Sequence, residues 1–326
     1  MKKVGILYGG KSAEHEISLL SAKNIYDAID KKIFEPSLIK IEKSGKWQMD
    51  AVSQFDVIFP VLHGPFGEDG TMQGFLKLAG IPFVGPGVLG SAVGMDKDVM
   101  KRLLRDAGIP IGKFFALYSH EKAPSFAETA AALAPNGCES SPFFIKPANM
   151  GSSVGISKVN NEAEYTAALK EAFLYDTKII MEEFIPGREI ECAVLGNEEP
   201  IASLPGEIKP SHDFYSYNAK YLDEKGAALE IPAKLDQATI KQIQEIALKV
   251  FKTLCCEGIS RVDFFLKPSS DLIVNEINTM PGFTRISMYP KMWEASGISY
   301  TDLITRLIDL AVSRFEKEGK LKTSVV

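Results

Sequence analysis

Residues 261 to 282 read RVDFFLKPSSDLIVNEINTMPG, and no other stretch constrains the chain as much. Two apolar-rich runs flank Lys267-Pro268-Ser269-Ser270-Asp271, whose turn residues predict a hairpin. Side chains alternate between the faces of a strand. Arg261 and Asp263 therefore share a face of the first strand, and Glu276 and Asn278 share a face of the second. Folding about Ser269 sets Asp263 beside Glu276, within about one residue of register. Val262, Phe264, Ile273 and Ile277 are expected on the opposite face, with Val274 apolar on the charged one. Two carboxylates, an amide oxygen and a guanidinium then share one rigid platform. Hard oxygen ligands too few to fill a metal's shell suit magnesium whose remaining ligands are substrate phosphates. Paired carboxylates can also hold two ions at an in-line phosphoryl transfer. The plainer alternative is an amphipathic ribbon with a wet face, since single Asp and Glu residues are mostly exposed.

A chain of 326 residues has room for two or three domains, and 45% apolar residues supply a sizeable core. A net charge of −5 and the lack of a long basic run argue against nucleic acid as a partner. No apolar run reaches bilayer length, so no membrane partner is expected. The start, MKKVGILYGG, has too short an apolar run for a signal peptide and predicts a buried first strand. Cys138, Cys192, Cys255 and Cys256 lack CxxC spacing, which fits reduced thiols in the cytosol rather than zinc.

Along the chain, Val4–Tyr8 predicts a strand, and Ser12 or a neighbour a helix cap. The helix runs to about Ile29, with Ile17, Leu20, Ala22, Ile25 and Ile29 as its apolar positions. Strands are expected at 34–41, 57–62 and 81–85, with a short helix at 70–78. This alternation argues for a parallel sheet covered by helices, whose loops after Gly9 and His63-Gly64 sit where such sheets bind ligands. Helices are expected at 97–107, 235–256 and 301–315, and strands at 143–146 and 178–185. Residues 205–226 are polar and aromatic without a clear period, and long irregular stretches in compact domains are usually functional or disordered.

Three further segments carry chemistry. KPANMGSSVG (146–155) joins a lysine at a strand end to a loop of glycines and serines, whose backbone N–H groups can cradle phosphate oxygens. It lacks the GK[ST] ending of a P-loop, and an ordinary flexible loop is an equal alternative. KIIMEEFIPGRE (178–189) offers either an edge strand with solvated acids or backbone for a flat base and a carboxylate for ribose hydroxyls. SAEHEIS (12–18) sets Glu14 and His15 at a helix start, where acids are also common for dipole reasons. His63 directly follows a strand, and no Ser-His-Asp order supports nucleophilic catalysis.

Taken in order, GGKSAEHEIS, LHGPFGEDGTMQG, GMDKDVMK, FIKPANMGSSVG, EEFIPGREI, FYSYNAKYL, RVDFF and NEINTMPGFT resemble the ATP-grasp superfamily and, within it, the D-alanine–D-alanine ligase family. The resemblance covers nearly the whole chain. It implies a three-domain α/β ATP-grasp fold: an N-terminal parallel-sheet substrate domain (1–94), a central domain (95–187) and a C-terminal domain (188–326) with a lid near 205–226. ATP would lie between the last two. Lys97 and Lys146 would meet its phosphates, Glu182, Glu183, Phe184 and Ile185 its adenine, and Glu189 its ribose, with Ser153 and Lys220 also binding the nucleotide. Asp263, Glu276 and Asn278 would hold two magnesium or manganese ions. Glu14, with Ser152, Tyr221 and His63, would serve the first D-alanine. Arg261 and the Gly282 amide would stabilise the oxyanion, and Ser287 and Met288 would receive the second carboxylate. The implied activity is ATP-dependent ligation of two D-alanines through a D-alanyl phosphate, for peptidoglycan precursors, by a cytoplasmic homodimer. Three stretches depart from the family's usual pattern: NMGSSVG for EGSSVG, Glu183 for a lysine, and RISMYP for SxS[LM][VY]P. Ligases that use D-lactate or D-serine, ATP-dependent carboxylases, and non-catalytic nucleotide-gated binding proteins are the alternatives.

Overall fold

The computed structural model describes residues 1–134, 141–210, 227–322 and 324. The first unit holds β1 (Lys2–Gly9), α1 (His15–Ala28), β2 (Phe34–Ile41), β3 (Val57–Val61), α2 (Thr71–Leu78) and α3 (Val88–Met95). Its sheet is parallel, in the order β2-β1-β3. Every residue of β3, VIFPV, is buried, as expected of a parallel strand covered on both faces. The strand expected at 81–85 is reduced to a single parallel bridge from Phe83 to Ile58. Pro82 has no N–H to extend the ladder, and Gly85 (φ 104°) turns the chain away.

The start of α1 also differs from expectation. Ser12 Oγ accepts from the Glu14 N–H at 3.2 Å, and the helix begins only at His15. Leu20 faces solvent, while Ser18 faces the sheet. Ser18 Oγ accepts from the Gly9 N–H at 2.8 Å and donates to Val61 O, so a hydroxyl serves two backbone groups where the pattern suggested leucine.

The second unit holds α4 (Lys97–Asp106), β4 (Phe114–Tyr118), α5 (Phe126–Leu133), β5 (Phe143–Pro147), β6 (Ser157–Val159), α6 (Glu162–Ala172) and β7 (Lys178–Glu183). Its antiparallel sheet runs β4-β7-β5-β6. β7 is thus an interior strand, which removes the edge-strand alternative. Asp96 caps α4 by accepting from the N–H groups of Asp98 and Val99, both at 3.1 Å.

The third unit holds β8 (Arg188–Gly196), β9 (Ile201–Ala202), β10 (Gly206–Pro210), β11 (Ala227–Glu230), α7 (Gln237–Thr253), β12 (Gly258–Leu266), β13 (Leu272–Asn278), α8 (Met288–Ala295) and α9 (Tyr300–Glu318). Its sheet runs β11-β10-β8-β12-β13, with β9 paired to β8. Ile243, Ala247, Val250 and Leu254 pack with β8, β12 and β13, and Met100 and Leu104 of α4 join this same core. A second core joins β1 and β3 to α8 and α9 through Ile6, Phe59, Trp293 and Leu303. Arg314 of α9 reaches back to the first unit, donating to Gly85 O at 2.6 Å and Phe83 O at 2.9 Å.

The hairpin registers Asp263 opposite Glu276 and Arg261 opposite Asn278. A register shift then pairs Phe264 with Val274 and Phe265 with Ile273. The extra residue reverses the expected alternation. Val274 lies in the core with Phe264, and Ile273 takes the other face.

Candidate active site

A cavity of about 490 Å³ separates the second and third sheets. Spacing of i, i+4 puts Lys97 and Lys101 on one face of α4, and both are buried. The Lys97 N–H donates to Ala148 O at 3.0 Å, and Nζ donates to Met150 O at 2.6 Å. Lys97 Nζ also stands 3.8 Å from Glu276 Oε2. Burial lowers the Lys97 pKa, despite the nearby Glu276 carboxylate. At the start of α4, Lys178 of β7 pairs with Asp96 at 2.5 Å and Asp98 at 3.5 Å, tying the helix to the second sheet.

Lys146, on β5, pairs with Glu182 Oε1, on β7. Lys101 pairs with the other oxygen, Oε2, at 3.1 Å. Burial opposes the Glu182 charge, but Lys101 and Lys146 outweigh it and hold its pKa at about 2. Burial also opposes the Lys146 cation, which Glu182 and Glu276 nevertheless favour, raising its pKa. Lys97, Lys146, Glu182 and Glu276 therefore line the cavity, and Lys101 backs Glu182. The sequence reading named Lys97, Lys146, Glu182 and Glu276 but not Lys101. The i, i+4 repeat of lysine in GMDKDVMK was the available signal.

After β5, Ser152 (φ 51°) and Ser153 (φ 61°) adopt left-handed backbone, uncommon without glycine and frequent at functional sites. Ser152 Oγ donates to the Glu14 carboxylate, which is itself buried. The loop of the second unit thereby meets the α1 start of the first. His63 is buried, and its Nδ1 lies 3.1 Å from Met280 O; its Nε2 has no partner among the described residues. Glu68, not singled out in the sequence, accepts from the N–H groups of Gly64 at 2.6 Å and Met280 at 3.1 Å. Burial and the Glu14 carboxylate push its pKa up to about 8, against these two donors and Lys97.

On the hairpin, Arg261 forks onto Asp263, Nε to Oδ1 and Nη2 to Oδ2, both at 2.7 Å. Arg261 Nε also lies 3.0 Å from Glu191 Oε2 of β8, and Asn278 Nδ2 donates to Asp263 Oδ2 at 2.9 Å. Among the described residues no three His, Cys, Asp or Glu side chains form a metal cluster. The two carboxylates and the Asn278 amide are hard oxygen donors too few to enclose an ion. That set fits divalent cations completed by phosphate oxygens.

The rest of the expected set divides. Glu183, Phe184, Ile185 and Glu189 line the cavity with Ser153. Glu183 Oε1 also accepts from the Lys113 N–H at 2.7 Å. Ser287 precedes α8, its Oγ 2.7 Å from Thr284 Oγ1. The Met288 side chain is buried in the core, so only its backbone N–H can meet a ligand. Gly282 lies two residues after Met280, in the turn between β13 and α8. Residues 206–210 of the expected lid form β10, while Lys220 and Tyr221 lie outside the described residues.

Two antiparallel sheets close on one cavity, where Lys97 of α4 and Lys146 of β5 meet Glu276 of the acidic hairpin. This is the architecture of an ATP-grasp ligase. A family profile described as D-ala D-ala ligase C-terminus matches residues 103–309, and one described as D-ala D-ala ligase N-terminus matches 3–55 and 48–86. The D-alanine–D-alanine ligase of Oceanobacillus iheyensis is 50% identical over 99% of this chain and 98% of its own. The structure of the D-alanine–D-alanine ligase from Coxiella burnetii superposes with a TM-score of 0.85 at 37% identity, covering 98% of each chain. That of the Bacillus anthracis D-alanine–D-alanine ligase complexed with ATP gives 0.82 at 27% identity, covering 98% of this chain and 100% of that one. The chain belongs to the D-alanine–D-alanine ligase family and is a ligase.

Proposed function

We propose that the protein joins two D-alanine molecules into D-alanyl-D-alanine at the expense of one ATP, for peptidoglycan precursor synthesis. The observation that carries this reading is the charge pattern of the cavity. Lys97, Lys146 and Glu276 line one cavity, with Lys97 Nζ 3.8 Å from Glu276 Oε2, and cations and an anion gathered in this way suit a triphosphate and its counter-ions. Lys97, Lys146 and the N–H groups around Ser152 and Ser153 hold phosphate oxygens, with Lys220 closing over them. Glu182 to Ile185 surround the adenine, and Glu189 accepts from ribose hydroxyls. Asp263, Glu276 and Asn278 hold two magnesium or manganese ions. Bound there, such ions would neutralise phosphate charge and favour in-line transfer.

Glu14 anchors the ammonium of the first D-alanine, supported by Ser152 and Tyr221, with His63 beside its carboxylate. That carboxylate attacks the γ-phosphorus, ADP leaves, and a D-alanyl phosphate forms. The N–H groups of Ser287 and Met288, at the start of α8, receive the second D-alanine's carboxylate. Its amine, neutral at the moment of attack, adds to the acyl carbon. Arg261 and the Gly282 N–H stabilise the oxyanion, and phosphate departs. An acyl phosphate hydrolyses in water, which gives the segment after β10, 211–226, its purpose as a lid.

We read the domains as 1–94, 95–187 and 188–326, and the working form as a cytoplasmic homodimer. Exposed Leu78 of α2 and Leu89 of α3 supply apolar surface for a second copy. No described helix is long and apolar enough to cross a membrane. The test is phosphate release from ATP with D-alanine, L-alanine, D-serine or D-lactate. Release that depends on D-alanine alone is expected, with D-alanyl-D-alanine as product. No D-alanine-dependent release, or a dominant D-lactate ester, would overturn the substrate assignment.

A further inference from the structure

One loop of the first unit holds the backbone of Met280 at both its N–H and its carbonyl oxygen. Glu68 Oε1 accepts from the Met280 N–H at 3.1 Å, and His63 Nδ1 lies 3.1 Å from the Met280 carbonyl oxygen. A carbonyl only accepts, so His63 carries a proton on Nδ1. The loop that presents both side chains is itself tied down. Glu68 Oε2 accepts from the Gly64 N–H at 2.6 Å, and Gln73 Nε2 donates to Gly67 O at 2.7 Å. On the far side, the Met280 side chain is buried in the core with Phe283. The turn from 279 to 283 is therefore fixed by packing from below and by two hydrogen bonds from another unit of the fold.

We propose that Glu68 is a positioning residue of the ligation: with His63 it sets the Met280 peptide, and through it the turn that presents the Gly282 N–H to the reacting carboxyl. The inference rests on the reading of Gly282 as an oxyanion donor. Glutamate suits the position because two N–H donors converge on it. A carboxyl accepts at both oxygens whether protonated or not, whereas a glutamine amide accepts at one and turns N–H groups toward the other donor. Removing an oxyanion donor costs about 10²–10³ in kcat. Displacing one by a fraction of an ångström costs less, and a loss of about 10- to 100-fold is expected. Most of the proposed nucleotide groups lie on β5, β7, the β7–β8 turn and the start of β8, while Lys97 of α4 is near enough for its charge to act on Glu68.

The experiment uses the full chain with Glu68→Gln and Glu68→Asp, the latter one methylene too short to reach both N–H groups. Measured are kcat, KM for ATP and for D-alanine, and the melting temperature. Expected is a kcat about 10- to 100-fold lower for Glu68→Gln and about 3- to 10-fold lower for Glu68→Asp, with KM for ATP within about twofold and melting still cooperative. A folded variant with kcat within about twofold of wild type overturns the proposal. So does a loss of kcat that tracks weakened ATP binding and a collapse in melting temperature, the mark of a merely structural role. If Glu68→Gln does not fold, Glu68→Asp decides by the same criteria. Wild-type enzyme without D-alanine-dependent phosphate release would instead refute the functional reading.

Discussion

Lys101 Nζ lies 3.1 Å from Glu182 Oε2, and both side chains are sealed from solvent. Lys146 takes the other oxygen of the same carboxylate. With Lys101 present, Glu182 stays neutralised when Lys146 turns toward a phosphate. Without it, Glu182 retains Lys146 as its only ion-pair partner among the described residues. We expect Lys101→Met to raise the KM for ATP about tenfold or more. Breaking a buried pair by removing one partner costs about 3–5 kcal/mol. The melting temperature should fall accordingly, and Lys101→Met/Glu182→Gln should recover part of it. Differential scanning fluorimetry and ATP saturation curves measure both. Unchanged ATP affinity in a folded Lys101→Met would show that Lys146 does not depend on this carboxylate being shared.

Glu276 faces Asp263 across the hairpin and pairs with Lys97 at 3.8 Å in the cavity wall. Its replacement by glutamine keeps shape and removes an anionic ligand. Turnover should fall by two orders of magnitude or more, on the order of several kcal/mol of transition-state stabilisation. The melting temperature should hardly change, since Glu276 is half-buried and its pair with Lys97 is long. Higher magnesium should recover part of the activity. A folded Glu276→Gln with near wild-type turnover at ordinary magnesium would sink the metal assignment.

Much of this site was legible in the sequence because period and turn chemistry are local. RVDFF and NEIN alternate, KPSSD turns, and Asp263 meets Glu276 as that logic requires. The expectation stopped holding one residue later, where the register shift moved Val274 into the core. A bulge leaves no mark in binary patterning. Ser18 escaped notice because a buried hydroxyl that serves two backbone groups looks like a polar interruption. Lys101 and Glu68 were missed for another reason. Each draws its importance from a partner far along the chain, Glu182 for one and Met280 for the other.

The raised pKa of Glu68 carries a stability signature. Its causes are burial and the facing Glu14 carboxylate, opposed by the Gly64 and Met280 N–H groups and by Lys97; His63 and Asp69 are the other titratable groups on the same loop. In the unfolded chain the carboxyl loses its proton near 4.5, whereas in the folded protein it does so near 8. Between those values the folded state binds the extra proton, so its stability falls as pH rises through the window. We expect the melting temperature of the wild type to drop from pH 5 to pH 8 by at least about 2 °C more than that of Glu68→Gln. Parallel profiles for the two proteins would mean that Glu68 titrates near its ordinary value.

Ser152 combines a strained backbone with a hydrogen bond across two units of the fold. Its φ of 51° is left-handed, which costs a non-glycine residue roughly 1–2 kcal/mol. Its Oγ donates to Glu14, the carboxylate assigned to the first D-alanine's ammonium. Alanine removes the hydrogen bond and keeps the strain, whereas glycine removes both. Both variants should therefore raise the KM for the first D-alanine to a similar extent, about tenfold, while leaving the KM for ATP within about threefold. Their stabilities should differ, with Ser152→Gly about 1 kcal/mol above Ser152→Ala in urea denaturation. A Ser152→Gly enzyme with wild-type KM for D-alanine would show that the hydroxyl does not support Glu14. Equal stability of the two variants would show that the left-handed turn carries no strain.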